Sequence, residues 1–205
     1  MDVSSGGKAK RGFAGLASHG LSQKPGARTP WSSTCRSPNK IRRMSSDARR
    51  KIQPLAALSR RIARAHAQGQ RIVFTNGCFD LLHAGHVTLL ERARGFGDLL
   101  VVGINSDRSV KALKGPTRPI INQRNRAYLL AALSCVDYVT IFDDSTPQRL
   151  VEQLVPDVLV KGADWRSQKI VGGELVRRHG GRVVRMPLVK GLSTSKVIEQ
   201  IRGSS

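Results

Sequence analysis

Residues 71 to 93, RIVFTNGCFDLLHAGHVTLLERA, constrain the fold more than any other stretch, because strand, tight loop and helix follow one another without a break. Ile72, Val73 and Phe74 form a β-branched and aromatic run too short for a helix, bounded by the turn residues Asn76 and Gly77. Val87, Leu89, Leu90 and Ala93 then recur at helical spacing until Gly95 and Gly97 stop the pattern, which predicts a helix beginning near Gly85 or His86.

The same alternation continues along the chain. Pro54 to Ala67 carries Leu55, Leu58, Ile62 and Ala65 on one face, with Pro54 in the first turn, so an entry helix is expected, its arginines Arg60, Arg61 and Arg64 forming a solvated face. Asp98 to Asn105, DLLVVGIN, is a continuous apolar run of the kind found in parallel strands covered on both sides. Lys111 to Pro119 reads as a basic glycine-proline loop, Gln123 to Leu133 as a helix and Tyr138 to Phe142 as a strand. Thr146-Pro147 is expected to cap a helix running to Leu154. Strands at 158–160 and 182–186, a helical part over 170–178 and a last helix from Ser193-Thr194-Ser195 to Ile201 complete the series. Five strands alternating with helices over short links specify one α/β domain: a Rossmann-like parallel five-stranded sheet with helices on both faces.

Ligands of such sheets lie beyond the carboxyl ends of the strands. Three segments follow strands there: Asn76 to His86, Lys161 to Trp165, and Lys190 to Lys196. In the first, free N–H groups at a helix start make an anion site, and Gly85 lets a phosphate approach without meeting a Cβ. His83 and His86 stand beside it, and imidazoles can hydrogen-bond a phosphoryl group whose charge is developing. Histidines three apart also occur in solvated helix starts and zinc sites, but no HExxH or CxxC supplies further ligands. Ser193, Thr194 and Ser195 suit either a plain N-cap or further phosphates. Lys114 and Arg118 either reach a polyphosphate or lie exposed. The pair Asp143-Asp144 reads as a solvated helix approach rather than a magnesium site, and no metal ligand is assigned to the protein.

Thirty-five Lys and Arg against fourteen Asp and Glu favour polyanionic ligands. Residues 1 to 46 hold nine of the basic residues and one acid, a net charge of +8 that leaves +13 for 47–205. This first segment is Gly-, Ser-, Arg- and Pro-rich without hydrophobic periodicity, so a disordered basic leader is expected, with Met44 as an alternative natural start. Aromatics are few and no nucleic-acid recognition signature occurs, which leaves at most weak, non-specific nucleic-acid binding. Cys35, Cys78 and Cys135 are irregularly spaced and odd in number, as in a reducing, cytoplasmic protein, and no apolar run reaches membrane-spanning length.

TNGCFDLLHAGH, GINSD, LKGPTRPI, LVKGAD, IVGGELVRRHGG and GLSTSK, in this order and spacing, resemble the nucleotidylyltransferase superfamily and, within it, the heptose-1-phosphate adenylyltransferase (ADP-heptose synthase) branch. The resemblance covers about residues 50 to 203. It implies that ATP and a sugar 1-phosphate give ADP-sugar and pyrophosphate with Mg²⁺, for lipopolysaccharide or related glycan precursors.

By that resemblance His83 and His86 meet the α-phosphate with Gly85 making room, and Lys114 holds phosphates of the reacting pair. Thr75, Asn76, Gly77 and Phe79 would line the nucleotide site and Asp164 would lie near the nucleoside. Ser193, Thr194 and Ser195 would take the β- and γ-phosphates. Three departures stand out: Ser195 replaces a usual threonine, Lys190 stands where an acid is common, and Ile198 replaces the arginine of distant members. Many relatives are fused to a sugar kinase, so a separate kinase is implied as pathway partner, and the resemblance leaves room for a homodimer. A cytidylyltransferase acting on glycerol phosphate is the alternative enzyme. A non-catalytic nucleotide- or nucleic-acid-binding protein is the alternative from another class, against which the intact histidine pair argues.

Overall fold

The structure, a computed structural model, describes residues 48–162, 170–187, 189 and 191–203. The basic leader 1–46, Asp164 and Lys190 therefore lie outside the described residues. The elements are α1 (Leu55–Ala67), β1 (Ile72–Gly77), α2 (Ala84–Arg94), β2 (Leu99–Asn105), α3 (Asp107–Lys114), α4 (Gln123–Ala132), β3 (Tyr138–Phe142), α5 (Gln148–Leu154), β4 (Val158–Gly162), α6 (Gly173–Arg178), β5 (Arg182–Met186) and α7 (Thr194–Gly203).

All five strands pair in parallel, in the order β3-β2-β1-β4-β5. The central strand shows why. Its residues point alternately to the two faces, and the two faces have separate cores. Ile72 and Phe74 join Leu58 and Ile62 of α1, Leu150 and Leu154 of α5 and Val176 of α6. Val73 joins Leu90 and Ala93 of α2 and Leu130 and Ala131 of α4. With both faces covered, a strand must be apolar along its buried stretch, as Ile72 to Phe74 of β1 and Leu99 to Ile104 of β2 are. The strand order reverses between β1 and β4, so the crevice beyond Gly77 and Gly162 is the topological switch point.

Four expectations need correction. Thr75, Asn76 and Gly77 belong to β1 rather than to a loop, because β2 continues alongside them and Asn76 and Gly77 are in register with Gly103 and Ile104. Residues 107 to 114 form a helix where strand end and basic loop were expected. Its N-cap Ser106 accepts a hydrogen bond from the Ser109 N–H at 3.1 Å. It escapes the periodicity test because only Ser109 and Val110 are buried. Thr146 does not cap α5: Pro147 itself is the N-cap residue, without a side-chain hydrogen bond. The helical part after β4 is confined to Gly173–Arg178. Among the described residues no helix is long and apolar enough to cross a membrane.

Candidate active site

β1 ends at Gly77, and six residues later the chain enters α2 with His83 as N-cap in extended geometry (φ −133°, ψ 168°). The turn between them is tight enough to force left-handed backbone at two non-glycine residues, Phe79 (φ 46°) and Leu81 (φ 49°). Such conformations cost of order 1–3 kcal/mol each and persist only where the surroundings impose them.

Asp80 supplies that imposition. Its buried carboxylate accepts from Arg118 Nε at 2.7 Å and from the Ile120 and Ile121 N–H groups at 2.9 and 3.0 Å. Burial alone would raise this carboxyl, yet the two amides and the guanidinium outweigh it and hold it below its ordinary range. Arg118 is therefore Asp80's counter-ion through Nε, with 15% of its side chain exposed, and it also lines a crevice beside Ser195. Arg126, fully buried on α4, completes the buttress by donating to Cys78 O, Ile121 O and Asp107 Oδ1.

On this support the two imidazoles stack, ring centroids 3.9 Å apart and 25° from parallel. Phe79, itself buried, backs His86 at 5.3 Å, so the ring assigned to the nucleotide is occupied in holding a histidine. His86 Nδ1 accepts from the His83 N–H at 3.4 Å, which assigns the proton of the neutral ring to Nε2. Burial, then the neighbouring His83, pushes His86 down to about 4 against the pull of Asp80, and burial lowers His83 as well. Both rings are consequently neutral donors at pH 7. His83 Nδ1 is buried and, although its ring faces the His86 N–H as the other half of a capping box, it makes no full hydrogen bond among the described residues. Such an atom is costly unless a ligand meets it.

Gly85 has a sharper role than making room for a phosphate. A Cβ there would lie 3.0 Å from His83 Cε1 and Nδ1 and 3.5 Å from Leu192. Any side chain would displace the His83 ring and cover its unmet nitrogen.

The last helix comes to the same place. Thr194 Oγ1 donates to Asp80 O at 2.7 Å, and Ser193 Oγ accepts from the Lys196 N–H at 3.2 Å. Of the three hydroxyls, two are thus occupied in anchoring and capping α7. Ser195 instead lines a crevice of about 220 Å³ that also receives Lys114, Arg118, Ile198 and Arg202. The structure therefore brings together His83, Gly85, His86 and Thr194, and Lys114 with Ser195.

At the switch point, Lys161 Nζ donates to Asn76 Oδ1 and, at 3.4 Å, to Asn76 O. With its oxygen taken by the lysine, the Asn76 side chain keeps its amide nitrogen as a donor. Thr75 is buried within the sheet, and a Cβ on Gly77 would meet the Phe79 ring at 3.3 Å. Asp143 is paired with Ser106 and Arg108, in keeping with a solvated approach.

Sequence reasoning named neither Asp80 nor Arg126 as a site residue, and took Lys161 only as the start of a candidate segment. Arg126 did leave a signal: it takes a core position of α4, among the buried Ala127, Leu130 and Ala131. An arginine there must be paired.

The family model for cytidylyltransferase-like proteins matches residues 74–200. The chain is 57% identical over 151 residues to the bifunctional protein HldE of Magnetococcus marinus, covering 74% of this chain and 31% of that one. It is 52% identical over 160 residues to HldE of Citrifermentans bemidjiense, covering 78% and 33%. The chain thus spans about a third of the length of the curated relatives it matches. Among solved structures, a lipopolysaccharide core biosynthesis protein from Thermoplasma volcanium superposes with TM-score 0.50 at 26% identity, over 59% of this chain and 98% of that one. Pantothenate synthetase from Thermus thermophilus does so with TM-score 0.52 at 21% identity, over 75% and 70%, a likeness of fold alone. With the Rossmann-like sheet, the histidine-bearing helix start and this family match in agreement, the chain belongs to the cytidylyltransferase-like family of nucleotidyltransferases.

Proposed function

We propose that the chain is an adenylyltransferase joining ATP to a sugar 1-phosphate of the D-glycero-β-D-manno-heptose type, giving ADP-sugar and pyrophosphate for lipopolysaccharide or related glycan precursors. The observation that carries the chemistry is the unmet, buried His83 Nδ1 beside Gly85, on a ring stacked against a neutral His86 at a helix start. The high identity to HldE proteins and the adenylyltransferase-branch motifs support the substrate pair.

A sugar phosphate, with a second pKa near 6, is already an anionic nucleophile at neutral pH. Its oxygen attacks the α-phosphorus of ATP, the bond from that phosphorus to the bridging oxygen breaks, and pyrophosphate leaves with the electron pair. No proton need be abstracted. The protein's part is to donate hydrogen bonds where charge develops: His86 Nε2–H, His83, and the free N–H groups that begin α2. Lys114 and Ser195, across the crevice, receive the departing phosphates.

Mg²⁺ accompanies the nucleotide in this reading and supplies charge neutralisation for the leaving pyrophosphate. The ion would be carried by the nucleotide's own phosphates, since the Asp80 carboxylate is committed to Arg118, Ile120 and Ile121. A sugar kinase, separate or fused, must supply the acceptor, which accords with the bifunctional relatives. The unpaired Cys78 and Cys135 support a cytoplasmic setting.

Pyrophosphate release measured across a panel of nucleotides and phosphorylated acceptors tests the proposal. ATP with heptose 1-phosphate and Mg²⁺ should give the highest kcat/KM. Activity confined to CTP with glycerol phosphate would overturn the branch assignment.

A further inference from the structure

A cavity of about 410 Å³ lies not at the histidines but at the carboxyl ends of β2 and β3. It is lined by Ser106, Arg108, Gln123, Ile141, Phe142 and Asp143. Resting on the proposed reaction, we propose that this cavity binds the hydroxyl-bearing body of the acceptor sugar, with Asp143, Arg108 and Gln123 as its specificity-determining side chains.

Three observations lead there. The lining is a matched set of donors and acceptors with little net charge. Asp143 accepts from Ser106 Oγ and from Arg108 Nη2 at 3.0 Å, so carboxylate and guanidinium neutralise each other while each keeps further hydrogen-bonding capacity. A neutralised pair makes a poor phosphate site and a good polyol site, where each hydroxyl both donates and accepts. Second, Gln123 Oε1 accepts from the Asp107 N–H at 2.8 Å, which fixes the amide orientation and leaves Nε2 as a donor. Ile141 and Phe142 add apolar surface beside these polar groups, the mixture expected of a small-molecule site.

The third observation is distance. The cavity opens at the same end of the sheet as the histidines, since Cys78 follows β1, Ser106 follows β2 and Asp143 follows β3. β1 and β3 are two strand spacings apart, about 10 Å. The intervening floor is held by Cys78 Sγ to Asn105 Oδ1 at 3.9 Å and by Arg126, which bonds both Cys78 O and Asp107. An acceptor whose phosphate lies at the β1–α2 turn must extend by about that distance to use the cavity. A sugar phosphate with exocyclic carbons does so, whereas glycerol phosphate stops short. The cavity thereby selects for acceptor length.

The experiment compares wild type with Arg108→Ala and Asp143→Asn in the full chain. Steady-state kinetics would vary heptose 1-phosphate and ATP separately, with glycerol 3-phosphate as the short acceptor. The sugar phosphate KM should rise about tenfold in each variant, the size expected from losing a charge-assisted hydrogen bond, with kcat, ATP KM and Tm unchanged. Any slow turnover of glycerol 3-phosphate should not move. An unchanged KM for the sugar phosphate in both folded variants would overturn the cavity assignment while leaving the reaction intact. Calorimetric titration of the sugar phosphate into each protein separates the two failures. If wild type lacks turnover yet binds it, and the variants bind about tenfold more weakly, the reaction fails and the cavity stands; equal or absent binding removes the cavity as well.

Discussion

The two sides of the β1–α2 turn are built on opposite rules. On the buttress side, Asp80 and Arg126 are buried, Arg118 is partly buried, and the charges are paired: Asp80 accepts three hydrogen bonds, and Arg126 donates to two carbonyls and a carboxylate. On the histidine side, two neutral rings are stacked with one buried nitrogen unmet and a glycine where any Cβ would intrude. Full satisfaction gives rigidity, and incomplete satisfaction leaves capacity for a ligand. The rigid half therefore carries stability, and in the proposed reaction the incomplete half carries chemistry.

Substitutions on the two sides should accordingly separate stability from activity. The largest stability loss is expected from Asp80→Asn, which leaves the Arg118 guanidinium, with 15% exposure, without its counter-charge and sets an amide donor against either the Ile121 N–H or the Arg118 and Ile120 donors. Breaking a buried pair in this way costs about 3–5 kcal/mol. Urea unfolding would measure it, and a loss under about 1 kcal/mol would show that the buttress is ornamental.

His83→Ala and His86→Ala should do the reverse. Each is expected to lower kcat by roughly 10²-fold or more, as for loss of one preorganised donor, with a much smaller change in ATP affinity. Both variants should fold normally. Near-normal turnover in either would sink the transition-state role of the rings.

Gly85→Ala sharpens the contrast because its two effects have opposite signs. Alanine is the better helix former by up to about 1 kcal/mol, yet its Cβ would meet the His83 ring at 3.0 Å. Turnover should fall about tenfold or more with thermal stability unchanged or raised, the fall corresponding to about 1.4 kcal/mol in the barrier. A fall in both would mean that the ring clash is relieved by moving the helix itself.

The pH dependence of stability is a smaller effect. His86 has its proton affinity lowered in the folded protein to about 4 from an ordinary 6.5, by burial first and by His83 second. Between those values the unfolded chain binds more protons, so stability must fall as pH drops from about 6.5 toward 4. The contribution of this residue is up to about 3 kcal/mol. Denaturant melts across this window should show a shallower slope in His86→Ala than in wild type, and equal slopes would contradict a neutral folded His86. The smallest effect is expected from Lys161→Met, which keeps the buried stem but frees the Asn76 amide to rotate. ATP KM should rise a few-fold with kcat nearly constant, and no change would remove Asn76 from the nucleotide site.

Much of this protein is decided locally. The apolar runs of β1 and β2 are strands covered on both faces because no other environment buries Ile72, Val73 and Phe74 together. Gly95 and Gly97 end α2, and the histidine pair around a glycine at a helix start is likewise read from adjacent residues. Helix α3 was not legible: its apolar face is short, and its cap Ser106 is recognisable only once β2 is known to stop at Asn105. The buttress is also a tertiary matter. Asp80 meets Ile120 and Ile121 forty residues away, Arg126 meets Cys78 across 48, and Lys161 meets Asn76 across 85. Sequence periodicity reports which side of an element faces the core. The partner of a charge buried there is chosen by the folding of distant segments against one another, and only the tertiary structure decided that Arg118 would pair with Asp80.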